Sequence, residues 1–234
     1  MLPSCAIVGD GRLGRALAAA LPGAAGPLGR GADPRGSEAV LLCVPDGEIA
    51  RAAAAVSPGP LVGHCSGATT LAPLLDAGHE AFSMHPLMTV PGDGVAHFEG
   101  AGAAVAGSTD RALWAARAIA ARLGMRPVEI ADADRAAYHA AAAMAANFLT
   151  TVEGAAERVG ATAGLDRALL VPLVRASVEA WAQLGAPRAL TGPIARGDEA
   201  TVARHRAAIA ERAADLLPLY DALAAATRDL AALR

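Results

Sequence analysis

Short apolar runs recur through the first half of the chain, each cut off by Gly, Pro or charge. They are CAIVG at 5–9, AVLLCVP at 39–45, PLVGHCS at 60–66, EAFSMHP at 80–86, GAAVAG at 102–107 and RPVEI at 126–130. Runs of this length and bounding predict buried strands. Between them, 12–21, 47–56, 69–77 and 110–123 carry the spacing of helices. Strands alternating with helices predict an α/β fold with a mainly parallel sheet covered on both faces. From about Ala131 the strand-like runs stop, and 134–160, 166–184 and 199–231 read as helices separated by GATAGLD and GAPRALTGPIARGD. The pattern therefore divides the chain near residue 130 into an α/β domain over 1–130 and an all-α domain over 131–234.

Composition sharpens this picture. Of 234 residues 54% are hydrophobic but only 3% aromatic, so alanine carries much of the apolar content. Small side chains imply close helix–helix and helix–sheet packing rather than a core built on large rings. The formal net charge is −3, and no basic cluster of the kind nucleic acid selects is present. Every basic side chain is an arginine; the chain has no lysine. The N-terminus enters a strand pattern without a signal-like apolar stretch, and the apolar runs fall short of a membrane span. Cys5, Cys43 and Cys65 are an odd set without metal-type spacing. The expectation is a reduced, cytoplasmic protein without a metal, acting on a small molecule and not on nucleic acid or membrane.

CAIVGDGRLGRALAAAL places Gly9, Gly11 and Gly14 between an apolar strand and a helix. In the G-x-G-x-x-G arrangement the first glycine permits a tight turn, the second admits a pyrophosphate, and the third allows close strand–helix packing. Phosphate then rests on the N–H groups at the helix start. Gly9, Gly11, Arg12, Leu13 and Gly14 are the candidate cofactor-binding loop, with Val44 and Pro45 at the next strand end. An NAD site usually carries an acidic residue about 20 residues after the loop. Here the region reads GPLGRGADPRG, with Arg30 and Arg35 flanking Asp33. Arg30, helped by Arg12, suits the 2′-phosphate of NADP, so NADP is the expected cofactor; a solvated loop charge is the other reading of Arg30.

Ligands of an open parallel sheet bind at the carboxyl ends of its strands. Three polar sets fall there: VPD at 44–46, HCSG at 64–67 and MHPLMT at 84–89. Ser66 and Gly67 offer a hydroxyl and backbone N–H groups for a carboxylate or the nicotinamide end, or else form a simple turn. His64 and His85 read either as site residues or as satisfied structural histidines. Cys65 beside His64 has no partner pattern for a nucleophile.

The series GDGRLG, LLCVPD, HCSGATTL, MHPLMT, YHAAAAMAANF and LTGPIARGD runs in order over nearly the whole chain. It resembles the Rossmann-like oxidoreductase family of unknown function, whose members join a nucleotide-binding domain to a helical dimerisation domain. That family is similar in fold to ketopantoate reductase, pyrroline-5-carboxylate reductase and the β-hydroxyacid dehydrogenases. The resemblance implies a helical domain of the 6-phosphogluconate dehydrogenase C-terminal-like type and a homodimer through the C-terminal helices. Ketopantoate reductases and β-hydroxyacid dehydrogenases carry a catalytic lysine one helical turn before an asparagine. Matched to Asn147, that lysine position is Ala143, and this chain has no lysine to substitute for it.

A ketone reductase still needs a proton donor. His139 lies two turns before Asn147 and suits the role, followed by Tyr138 and then His85; polar links in a helical dimer core are the other reading. LTGPIARGD either caps a helix through Asp198 or brings Thr191 and Arg196 to an anionic substrate. The expected function is NADP-dependent reduction of a small carbonyl acid, with a ketopantoate-type 2-oxo acid as first substrate. Pyrroline-carboxylate-type imine reduction, or a non-catalytic NADP(H)-binding sensor, are the alternatives. The catalytic candidates are His139, Asn147, Ser66 and His85; Ser66, Gly67, Thr191 and Arg196 are the substrate-binding candidates.

Overall fold

The computed structural model describes residues 4–29, 34, 36–90, 92 and 96–234. Its seven-stranded sheet has the order β2-β1-β3-β4-β5-β6-β7. The strands are β1 (Cys5–Val8), β2 (Ala25–Leu28), β3 (Ala39–Leu42), β4 (Leu61–His64), β5 (Ala81–Leu87), β6 (Gly102–Gly107) and β7 (Arg126–Glu129). Neighbouring strands run parallel except for the β5–β6 pair. The six sequence-marked runs each become a strand. The additional edge strand β2 has little apolar signal because its AGPL is largely exposed.

Helices α1 (Arg12–Ala20), α2 (Ile49–Ala54), α3 (Ala72–Asp76) and α4 (Asp110–Arg122) cover the sheet. Alternation along the strands sorts the core into two layers. Ile7, Leu41, Phe82, Met84 and Val105 pack with residues of α1 and α4. Val40, Leu42 and Val62 pack with Ile49 and Ala53 of α2 and Leu74 of α3. All four residues of β3 are buried, as expected of a central parallel strand covered on both sides. On α4 the buried residues Ala112, Ala115, Ala116, Ile119 and Ala120 form one helical stripe. Alanines bring that helix so near the sheet that a Cβ at Gly107 would run into the backbone of Leu113.

By internal contacts the chain forms two compact units, Met1–Ala146 and Asn147–Arg234. The compositional shift near residue 130 marks the end of the sheet, while the first unit continues through α5 (Arg135–Ala143). A side-chain bond from Arg135 to Ser83 on β5 ties that helix to the sheet.

The second unit contains α6 (Leu149–Ala161), α7 (Arg167–Leu184), α8 (Ala186–Ala189), α9 (Glu199–Arg212) and α10 (Leu217–Ala231). Asp166 and Asp198 cap α7 and α9 by accepting the N–H groups of Ala168 and Thr201. Arg206–Asp221 and Arg228–Glu199 ion pairs join α9 to α10. Among the described residues no helix is long and apolar enough to cross a membrane.

Thr109 caps α4 by accepting the Ala112 N–H at 3.1 Å. Thr109→Ala is expected to lower unfolding free energy by about 1 kcal/mol, measured as a shift in the urea midpoint with unchanged slope.

Candidate functional site

The strand order reverses at β1. The chain passes through α1 to β2 on one side, then returns to β3 on the other. This is the crevice where open α/β sheets bind ligands. Gly9, at the carboxyl end of β1, has φ +114° and lies so near the Cys43 carbonyl that a side chain would collide with it. A Cβ on Gly14 would likewise strike the Gly9 carbonyl. Gly11, between them, faces open space with nothing within 4 Å of an added Cβ.

The two outer glycines are therefore set by packing, and the middle one leaves the entrance clear. Gly11 is the N-cap of α1 and no side-chain bond caps that helix. Arg12, the first helical residue, is exposed, while Leu13 packs against the core. Val44 packs on the opposite layer and Pro45 opens a short turn containing Asp46. Arg30, Asp33 and Arg35 lie outside the described residues.

The next strand end is a closed hydrogen-bond network. His64 is fully buried. Its Nδ1 accepts the Ser66 N–H at 3.2 Å, which leaves the proton on Nε2 to donate to the Thr70 carbonyl at 3.0 Å. Burial pushes the His64 pKa down, so the ring is held neutral. His64 is thus a satisfied histidine that shapes the loop.

Ser66 donates its proton to Asp46 Oδ2 at 2.7 Å and accepts the backbone N–H groups of Ala68 and Thr69 at 3.2 and 2.9 Å. With Thr69 Oγ1 also at 3.0 Å, the hydroxyl is fully engaged. Its evident work is to anchor the HCSG turn to Asp46. Cys65 and Cys43 approach to 3.7 Å between sulfurs. Their hydrogen bond and burial push the Cys65 thiol well above its ordinary range, which opposes a thiolate there.

A second group forms between β5 and α5. His85 Nδ1 and the Tyr138 hydroxyl are 2.7 Å apart. The His139 ring lies 6.0 Å from that of His85, centroid to centroid. Gly67 sits against both imidazoles: an added Cβ would lie 2.8 Å from His139 Cδ2 and 2.9 Å from His85 Cε1. Glycine is needed here because the rings close over its backbone.

One turn earlier on α5, Arg135 is only 2% exposed. Its Nε donates to Asp132 at 2.6 Å and a terminal nitrogen donates to Ser83 Oγ at 2.5 Å. Burial, then the charge of His139, lowers the His85 pKa from 6.5 to about 4. Burial raises that of Tyr138, with Arg135 opposing.

Gly67, His85, Tyr138 and His139 are thus brought together, in the same unit as the glycine loop. Asn147, Thr191 and Arg196 belong to the second unit. Asn147 lies in the π-helical turn Met144–Phe148, where its carbonyl accepts the Thr151 hydroxyl at 3.0 Å. Arg196 ends the short turn Ile194–Arg196. Asp46 and Arg135 received no assignment from the sequence. Their available signals are the VPD ending and an arginine one helical turn before Tyr138 and His139.

A doubly wound sheet with a clear glycine crevice and polar strand ends defines a Rossmann-like α/β unit. The profile described as Domain of unknown function (DUF2520) matches residues 102–227, more than half of the chain. The chain belongs to that family. No curated protein sequence matches it.

Among solved structures, a Bacteroides fragilis protein proposed to be an NADP oxidoreductase is 18% identical with a TM-score of 0.81, over 97% of this chain and 98% of that one. A Thermotoga maritima protein is 23% identical with a TM-score of 0.78, over 97% and 98%. A reductive aminase from Aspergillus terreus, solved with NADPH and ethyl-5-oxohexanoate, is 16% identical with a TM-score of 0.70, over 100% and 98%. These likenesses establish the fold.

His85 gives a testable pH dependence. The folded protein holds it near 4 against 6.5 for the free side chain. As pH falls below the higher value, the unfolded chain takes up the proton first. The contribution to stability is therefore complete above that pH and is lost down to the lower one. His64 acts in the same direction. Urea unfolding is expected to show His85→Gln losing less stability than wild type across this window, by up to about 3 kcal/mol.

Proposed function

We propose that this protein is an NADP-dependent reductase of small C=O or C=N compounds. The observation that carries the reading is the open Gly11 position between two glycines whose side-chain space is filled by backbone, at the β1–β3 crevice. The residues fit a dinucleotide. Backbone N–H groups at the start of α1 would hold its pyrophosphate, and Val44 and Pro45 would flank it at the β3 end. Arg12 supplies an exposed cation for the extra phosphate of NADP, with Arg30 as a second candidate. Solved neighbours described with NADP or NADPH support that choice. When bound, the nicotinamide supplies hydride.

The chain's own residues supply orientation and the proton. His139, Tyr138 and His85 are the candidate proton donors, gathered against Gly67. Gly67 contributes backbone rather than a side chain, and Ser66 acts through the turn it anchors to Asp46. Asn147, Thr191 and Arg196 are assigned to substrate orientation on family resemblance. The lysine absent at Ala143 weakens the ketopantoate-type substrate.

Asp46 favours a C=N substrate. It is exposed, and its charge bears on His85. Arg135 is buried and bonded to Asp132 and Ser83. A carboxylate at this cluster suits a neutral imine, whose nitrogen gains positive character as it is protonated during reduction, better than an anionic 2-oxo acid.

The test is NADPH oxidation, followed by absorbance, with a panel of cyclic imines and of 2-oxo acids. Faster turnover of the imines is expected, and Asp46→Asn is expected to reduce it by about tenfold or more. Binding of NADPH without oxidation by any member would instead support a sensor.

We also propose a homodimer through the C-terminal helices. On α7, Leu169 and Leu173 lie one turn apart, and Leu169, Leu173 and Trp181 are 67%, 65% and 58% exposed. Large apolar side chains exposed together on one helix call for a partner. Light scattering is expected to give a dimer for the wild type and a monomer for Leu169→Glu/Leu173→Glu; a wild-type monomer would contradict it.

A further inference from the structure

We propose that Tyr138 delivers the proton to the substrate heteroatom, that His85 replenishes it, and that Arg135, held against Ser83, is the residue that positions the pair. This rests on the reductase reading above and assigns roles within that site. The starting observation is a two-rung connection between α5 and β5. Arg135 reaches Ser83, and three residues later Tyr138 reaches His85. Ser83 and His85 are two apart on a strand and share one face, opposite Phe82 and Met84. Three helical residues advance about 4.5 Å and two strand residues about 6.6 Å. The long arginine side chain accommodates the mismatch. The lower rung is buried, so the upper one is held in register by it.

The three candidate donors differ in environment. His85 is neutral at physiological pH, so it is not a store of protons. It can still pass one through, from one ring nitrogen to the other. Tyr138 stays protonated because burial disfavours its phenolate, and the Arg135 charge stabilises the phenolate once it forms. His139 is exposed and touches the cluster through ring contact. The groups bearing on His85 are His139 and Arg135 from α5, Asp46 from the turn after β3, and His64 from β4. Asp132 faces Arg135 from the preceding turn.

The Tyr138 O–H bond breaks as an N–H or O–H bond forms on the substrate, matching the hydride added to its carbon. The phenolate takes the Nδ1 proton of His85, and His85 Nε2 takes one from solvent. The ring ends neutral with its proton on the other nitrogen, exchange with solvent returns it to the starting tautomer before the next turnover, and no charge accumulates on the pair.

The test combines turnover with a measurement on the protein alone. With NADPH and a cyclic imine, Tyr138→Phe is expected to lower kcat by about 100-fold or more while NADPH affinity is unchanged. Wild-type kcat is expected to stay flat from about pH 6 to 9, because neither member of the pair titrates there.

The chain has only two tyrosines, so the alkaline titration of Tyr138 is read from tyrosinate absorbance as wild type minus Tyr138→Phe. Arg135→Met is expected to move that ionisation to higher pH and Arg135→Lys to restore it. Ser83→Ala, which keeps the cation but loosens the rung, is expected to lower kcat in a protein whose melting shows it folded.

Near-normal turnover in Tyr138→Phe would overturn the proposal. So would a kcat that falls as pH rises through about 6.5, the ordinary imidazole range, or a Tyr138 ionisation indifferent to the charge at residue 135. If wild type binds NADPH but reduces none of the imines or 2-oxo acids, the reductase reading fails, and this assignment with it.

Discussion

Two glycines and two carbonyls set the geometry on which the rest of the first unit depends. Gly9 passes under the Cys43 carbonyl, and Gly14 passes under that of Gly9. Any side chain at either position would push β1, α1 and β3 apart. Their close approach places the start of α1 at the point where the sheet reverses its strand order. In the same sheet Asp46 and Gly67 follow the neighbouring strands β3 and β4, and His85 lies near the end of β5. The alanine-rich helices serve the same requirement, since small side chains let helix and sheet lie near each other.

Polar groups at those ends divide into two kinds. His64, Ser66 and Thr69 spend their hydrogen bonds on one another, on Asp46 and on the backbone, so they act as scaffold. His85, Tyr138 and His139 gather around a glycine with capacity left for a ligand. Arg135 lies behind them as a buried cation whose partners are Ser83 and Asp132. Its charge opposes the effect of burial on Tyr138 and adds to that of burial and His139 on His85.

Much of the fold was legible because a central strand must read as an apolar run and its helices as stripes. AVLL and the alanine stripe of α4 carry those periods plainly. β2 was faint because an exposed edge strand needs no apolar signal. The glycine loop was legible through its spacing, and His85, Tyr138 and His139 through polar residues standing in apolar context. What escaped was partnership. Nothing local to HCSG shows that Ser66 gives its proton to a residue twenty positions away, and nothing in DRAAYH shows that Arg135 is buried. Asp46 was visible only as the end of a strand. The Asp198 cap, in contrast, follows from a local turn and appeared as one of two readings.

The account stands or falls on the crevice above Gly11 holding a dinucleotide. Titrating the wild-type protein with NADPH and with NADH, followed by nicotinamide fluorescence, tests it most directly when Gly11→Asp is measured alongside. Open space at that position lets the variant fold, while its carboxylate would meet the pyrophosphate. The account predicts NADPH binding to wild type, weaker NADH binding, and loss of both in the variant. Equal affinity in wild type and variant, or binding of neither nucleotide to the wild type, would contradict it.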